Sequence, residues 1–447
     1  MTNRTTTQRT RAPDPNQKNN IVAIQAGVAM GNRAVRSPLV TQAKSSAVSS
    51  MTDPLTGEVI EVKQPGVYDQ FKVAAERLHL QDIVAKLLPN HRTAKCERVL
   101  SGRKGAGVEV LQRVAGEQGF FAGLQTCASV WCCPVCAAKI SERRRTELKN
   151  AMEQHKAAGG CVDLMSLTVK HDRHDKLSDL LAKLKKALVK FNADWTVRNV
   201  FDEMGIVGAI RALEVTSGRR SEAKNGWHPH CHVLQFGGIG DGLAEHTPEQ
   251  RLVWQNRLYD RWAASCVFAG LKPPSREHGV KLDGGEQAGA YIAKMGLEQS
   301  KHWNLTHEMT KGHSKKAKDG ESPFDLLRAI AADDGDRQAK ALFCEYAEAF
   351  HGKRQLFWSP GLKKRYAVPD LTDEEIEAQK QEKAIVLGVI LKDSWKDVLA
   401  CHGRGTVKRL AIFGWDAVAS YLTTIQGRAG RPIEATRTTP DTPQPPS

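Results

Sequence analysis

The stretch AIRALEVTSGRRSEAKNGWHPHCHVLQF, residues 209–236, holds two runs of alternating side chains on either side of a polar centre. Apolar, β-branched and polar residues follow one another at period two in each run, and the centre is rich in Ser, Gly, Arg and Asn. That pattern predicts an antiparallel hairpin. On its second strand His228, His230, His232, Leu234 and Phe236 share one face, while Cys231, Val233 and Gln235 take the other. The first strand carries one acid, Glu214. A turn near residue 222 sets Glu214 opposite His230, and directly paired Cβ atoms lie about 4.5–5.5 Å apart. Two imidazoles and a carboxylate at that spacing can share one cation, with Mn²⁺, Mg²⁺ and Zn²⁺ all compatible with the ligand set.

Working outward, CVDLMSLTVKH (161–171) reads as a buried strand, and KLSDLLAKLKKALVKF (176–191) sets Leu177, Leu180, Leu181, Leu184 and Leu188 at helical spacing. A helix follows the hairpin over roughly 249–268. A short strand near 278–283 and a helix containing AYIAKMG come next. The order strand, helix, strand, strand, helix, strand, helix predicts an α+β fold, an antiparallel sheet with helices packed on one face. Around it, residues 1–66 read as a disordered basic arm and 67–158 as a helical region with a cysteine cluster. The core domain spans 159–370, a small C-terminal helical unit 371–427, and a disordered Thr/Pro-rich tail 428–447.

The chain has 447 residues, with 65 Lys and Arg against 50 Asp and Glu, a formal charge of +15 that favours a polyanionic partner. No apolar run is fit to be a signal peptide or approaches the ~18 residues of a membrane span, so a cytoplasmic protein without membrane contact is expected. In that reducing setting the ten cysteines are thiols or metal ligands rather than disulfides. Cys133-Pro-Val-Cys136 has the spacing of a zinc knuckle, and Cys127 with the distant Cys96 completes a candidate four-thiolate site; Cys132 competes with Cys133. A third constellation is GAYIAKMG (289–296), where Tyr291 and Lys294 share a helix face. A tyrosine can attack phosphorus if a nearby cation polarises the phosphate and a lysine adds charge beside its oxygens.

Taken in order, LMSLTV (164–169), HPHCHVL (228–234) and YIAK (291–294) resemble the three motifs of the HUH endonucleases. With CASVWCCPVCAAKISERRRTEL and GKRQLFWSPGLK, the set is similar to the replication initiators of rolling-circle plasmids over about residues 96–367. The resemblance implies that Tyr291 attacks one origin strand, leaving a 5′-phosphotyrosyl link and a free 3′-OH primer. It further implies His230 and His232 as ligands of a divalent cation, Mn²⁺ or Mg²⁺, with Glu214 as the third by the geometry above. Plasmid origin DNA would be the partner, with a host helicase and a DNA polymerase.

Such initiators are thought to end a cycle with a glutamate four residues before the tyrosine, where this chain has Gln287. Glu286 at five and Asp283 are the substitutes, and His228 has no assigned place. Candidate phosphate contacts are Arg143, Arg144, Arg145, Arg219, Arg220, Lys363, Lys364 and Arg365, with Lys353 and Arg354 beside them. Two competing readings are a relaxase or transposase of the same chemistry and a zinc-braced DNA-binding regulator without catalysis. Relaxases usually place the tyrosine before the histidines, and such transposases are usually far shorter.

Overall fold

In the computed structural model the described residues are 48–52, 59–63, 67–102, 107–113, 119–221, 224–238, 245–297, 320–378, 384–429 and 435–437. The first part of the expected N-terminal arm, 1–47, and most of the expected tail lie outside them. Residues 48–63 of that arm contain a short antiparallel hairpin, Val48–Thr52 (β1) with Val59–Lys63 (β2). From Val67–Leu87 (α1) the chain runs through Gly107–Arg113 (β3) and Gly119–Ala122 (β4) into the long helix Pro134–Ala157 (α2). Then come Cys161–Thr168 (β5), Leu177–Ala193 (α3), Trp195–Glu203 (α4), Gly208–Ser217 (β6) and Trp227–Gly237 (β7). Pro248–Phe268 (α5), Val280–Asp283 (β8) and Gly285–Leu297 (α6) follow.

The central sheet is five-stranded and antiparallel throughout, in the order β8-β5-β7-β6-β9, where β9 is Leu356–Trp358. The class is α+β with antiparallel sheets, and the structure adds a second helical layer to the single one expected. One face packs Met165, Leu167, Cys231, Val233 and Val215 against α3, α4 and α5. All five leucines of α3 picked out by their spacing are buried there. The other face packs Leu164, Leu234, Phe236, Ile210 and Ala212 against Leu148 and Ala151 of α2 and Ala288 and Ile292 of α6. Both faces of β7 are therefore covered towards its C-terminal end, where Val233 to Gly237 are all buried. The histidines occupy the other end of the strand.

Past the sheet come Pro323–Ala332 (α7), Arg337–Ala349 (α8), Leu362–Arg365 (α9) and Asp373–Ala378 (α10). Residues 371–427, expected to be helical, also contain a strand, Ala384–Leu391 (β10), ahead of Lys392–Ala400 (α11), Arg404–Leu410 (α12) and Trp415–Ala429 (α13). This strand pairs with β3 and with Ala435–Arg437 (β11), so a second sheet of order β11-β10-β3-β4 forms from segments nearly 300 residues apart. The apolar, partly β-branched run AIVLGVIL favours a strand, and Gly388 within it leaves room for the Trp415 ring, which a Cβ would meet at 2.5 Å. Val108, Val110, Ile390, Trp395, Val398 and Val418 fill the core of this body.

Candidate functional site

In the β6–β7 hairpin Glu214 lies directly opposite His230, and His232 faces Ala212. The pleat brings His230, His232 and Glu214 onto one face, with His230 Nε2 and His232 Nε2 at 3.5 and 3.7 Å from Glu214 Oε2. Their ligand atoms all lie within 4.8 Å of one another. Each ring is held through its other nitrogen. His232 Nδ1 is 2.9 Å from Ser166 Oγ on β5, and His230 Nδ1 is 3.1 Å from the carbonyl oxygen of His228. Both Nε2 atoms are thus turned to the carboxylate, the arrangement by which outer partners orient metal-binding imidazoles.

Burial opposes charge on Glu214, but hydrogen bonding to His230, the nearby His232 and the Tyr291 hydroxyl outweigh it and hold its pKa at about 2. Burial lowers His232 to about 4 and His228 to about 3, with neighbouring imidazoles adding to the effect. At neutral pH Glu214 is a carboxylate and the His232 ring neutral, the protonation states a cation requires.

Helix α6 delivers Tyr291 to this set. Its hydroxyl donates to Glu214 Oε1 at 2.7 Å, and its ring lies 4.7 Å from that of His232, centroid to centroid. Lys294 is three residues on in the same helix, and its side chain lies outside the described residues. Glu286 is exposed in the first turn, about 140° around the helix from Tyr291, whereas Gln287 is about 40° away. Asp283 ends β8 and is paired with Lys281 at 3.4 Å. His228 stacks on His171 with centroids 4.8 Å apart, and its carbonyl, rather than its ring, serves the ligand set. Ser166 escaped sequence reasoning, although a lone polar residue inside LMSLTV was its available signal.

The second cluster is closed. Cys96, Cys127, Cys133 and Cys136 are all buried, with Sγ separations of 3.5 Å (Cys96–Cys136), 3.6 Å (Cys96–Cys133) and 3.7 Å (Cys127–Cys136). A tetrahedral Zn²⁺ with bonds of about 2.3 Å implies sulfur–sulfur edges of about 3.8 Å, so the four thiols fit that ion. Hydrogen bonds from Cys133, Cys136 and Cys96 pull the Cys127 thiol far down, while burial pushes Cys133 up. The residues after two of the ligands, Glu97 (φ 49°) and Ala128 (φ 45°), are left-handed without being glycine. Such strain persists only where the surroundings over-determine it. Cys132 stands outside the set, its backbone N–H donating to Ser129 Oγ at 3.1 Å.

A third group, Cys161, Asp163 and His246, is buried and within ligand distance of itself. His246 Nδ1 is only 2.5 Å from Asp163 Oδ2, a hydrogen bond rather than the spacing of two ligands on one ion, and Arg251 adds its own cation 3.6 Å from Asp163. This is an internal ion pair. The hydrogen bond to Asp163 raises His246 to about 10.

The arginines divide. Arg219 is enclosed between Glu321 (2.9 Å) and Asp336 (2.5 Å), and the partly buried Arg144 is held by Asp373 and Gln355, so both are engaged with protein partners. Arg143 pairs with Glu147, Arg145 with Glu142 and Lys363 with Asp370. Arg220 is exposed, though 3.3 Å from Glu321, and Lys364 and Arg365 are exposed on α9.

Residues 119–237 match the model of a family described as replication protein, a span that holds α2, both ligand strands and Ser166 and ends before Tyr291. The chain is 29% identical to a "Protein rep" of Streptomyces lividans over 57% of its own length and 66% of that protein's. It is 26% identical to a "Neomycin resistance protein" of Streptomyces cyanogenus over 41% of its length and 49% of that protein's. The alignments thus span just under two thirds and about half of these relatives. No solved structure matches. The likeness to replication proteins read from the motifs is found again by comparison over part of the chain. No helix among the described residues is long and apolar enough to cross a membrane.

Proposed function

We propose that this chain initiates rolling-circle replication of a plasmid by nicking one origin strand through Tyr291. One observation carries the reading: the Tyr291 hydroxyl is hydrogen-bonded at 2.7 Å to the carboxylate that also faces both histidines. His230, His232 and Glu214 would hold a divalent cation, Mn²⁺ or Mg²⁺, whose chemistry there is to polarise the scissile phosphate. The Tyr291 hydroxyl, oriented by its hydrogen bond to Glu214 Oε1, attacks phosphorus and releases its proton to solvent. The bond from phosphorus to the 3′ oxygen breaks, that oxygen takes up a proton, and the 5′ phosphate stays on the tyrosine. Because one phosphodiester replaces another, the step is reversible. The freed 3′-OH is the primer a host polymerase extends, and a host helicase would open the duplex ahead of it.

Lys294, on the helix that carries Tyr291, adds charge beside the phosphate in this scheme. Zn²⁺ held by Cys96, Cys127, Cys133 and Cys136 would brace the start of α2 and take no part in the reaction. Glu286 does not suit the terminating base from its place on the helix, and Gln287 cannot take a proton.

Labelled single-stranded origin DNA incubated with the protein and Mn²⁺ should give a covalent adduct that survives denaturation. Tyr291→Phe should give none. An undiminished adduct from that variant, or none from the wild type, sinks the proposal and favours a zinc-braced DNA-binding regulator.

A further inference from the structure

A groove of about 610 Å³ runs between the cysteine cluster, α2 and the segment leading into β9. Arg92, Arg144, Lys353, Arg354 and Lys363 line it. Trp131 and Trp358, both half-buried, also line it, and Lys363 Nζ sits 5.8 Å over the Trp358 ring. The groove is tied through Gln355 to the strand that carries Glu214. Arg144 donates to Gln355 Oε1 at 2.7 Å, and the Gln355 carbonyl accepts the N–H of Leu213, the neighbour of Glu214, at 3.1 Å.

Residues 370–376 form one wall. Asp370 meets Lys363 at 2.6 Å, Asp373 pairs with Arg144, and Glu374 meets Arg92 at 3.0 Å. Three acids within five consecutive residues thus hold three bases from three separate elements: α9, α2 and the turn before Cys96. Behind them Ile376 is buried among the cysteine side chains, which anchors the segment by its far side. The outer pairs are loose: the side chains of Asp370 and Glu374 are 90% and 62% exposed. Exposed pairs of this kind exchange readily for a competing anion.

We infer that the groove is the track of single-stranded DNA and that residues 370–374 are an acidic strap occupying its phosphate positions, which an entering strand must displace. The inference rests on the reading of this chain as a DNA-nicking protein. Displacement frees carboxylates that take up the cations the phosphates release, so the strap weakens binding and flattens its salt dependence together.

The test uses the full-length, metal-loaded protein and a fluorescent single-stranded oligonucleotide, with anisotropy read over a range of salt. The triple variant Asp370→Asn, Asp373→Asn, Glu374→Gln should bind about ten-fold tighter at low salt. Its slope of log K against log salt should be steeper by up to about 2, from roughly 0.7 for each further phosphate neutralised. Asp370→Asn and Glu374→Gln alone, at exposed positions, should each bind about two-fold tighter and keep the melting temperature of the wild type. Unchanged or weaker binding in the singles and the triple overturns the strap. An equal improvement on duplex of the same length overturns the single-strand assignment. The Tyr291 adduct is assayed in parallel: a wild type that forms it while the variants bind unaltered loses the strap alone, and a wild type that forms none loses the functional reading.

Discussion

The cysteine cluster and the histidine face are both sets of ligand-type side chains gathered within a few ångströms, yet they are built in opposite ways. Four buried sulfurs from segments 40 residues apart close completely around a point. The other set puts three partly buried candidate ligands on adjacent strands, with a tyrosine hydroxyl lying against one of them. A closed sphere of thiolates leaves no position for a substrate, whereas three mixed ligands leave positions open. The contrast fits the proposed division between a brace and a reaction centre.

Breaking the brace should have the largest effect. Cys136→Ser should abolish stoichiometric zinc in metal analysis and lower the melting temperature by about 10 °C or more, because ligand binding there is coupled to folding. Breaking the reaction centre should spare the fold. Glu214→Gln should slow adduct formation by more than about 100-fold while shifting the melting temperature by no more than about 2 °C. If the two variants destabilised the protein equally, the division between brace and centre would fail. Ser166→Ala tests the outer support of His232 and should weaken Mn²⁺ activation about 10-fold, read as the concentration giving half-maximal adduct.

The smallest effect is expected at the buried ion pair. His246 gains its proton affinity from Asp163, so its folded pKa of about 10 lies above the unfolded value. Its stabilisation is complete below about pH 6.5 and disappears as pH rises towards 10. His246→Gln should therefore melt a few degrees below the wild type at pH 6, with the gap closing by pH 10.

Much of the site was legible because strands project side chains at a strict period of two. Once the hairpin was recognised, His230, His232 and Glu214 had to share a face, and only the turn position was needed to set Glu214 against His230. Helical spacing likewise identified the buried leucines of α3. The second sheet was not legible, since β10 and β3 are far apart in sequence and each run is short enough to pass for part of a helical unit. Nor was the fate of the arginines. Arg219 and Arg220 are neighbours of one kind in the sequence, yet one is enclosed by two carboxylates and the other is exposed.

The sequence by itself determined the class of fold, the ligand strands, the order of the motifs and the thiols with knuckle spacing, because all of these rest on local periodicity. Tertiary structure alone decided that the Tyr291 hydroxyl meets Glu214, that Ser166 on a separate strand orients His232, and that an acidic segment faces a basic groove. Those contacts join residues separated by up to some 280 positions, and no local pattern encodes which distant side chains folding will bring within a hydrogen bond.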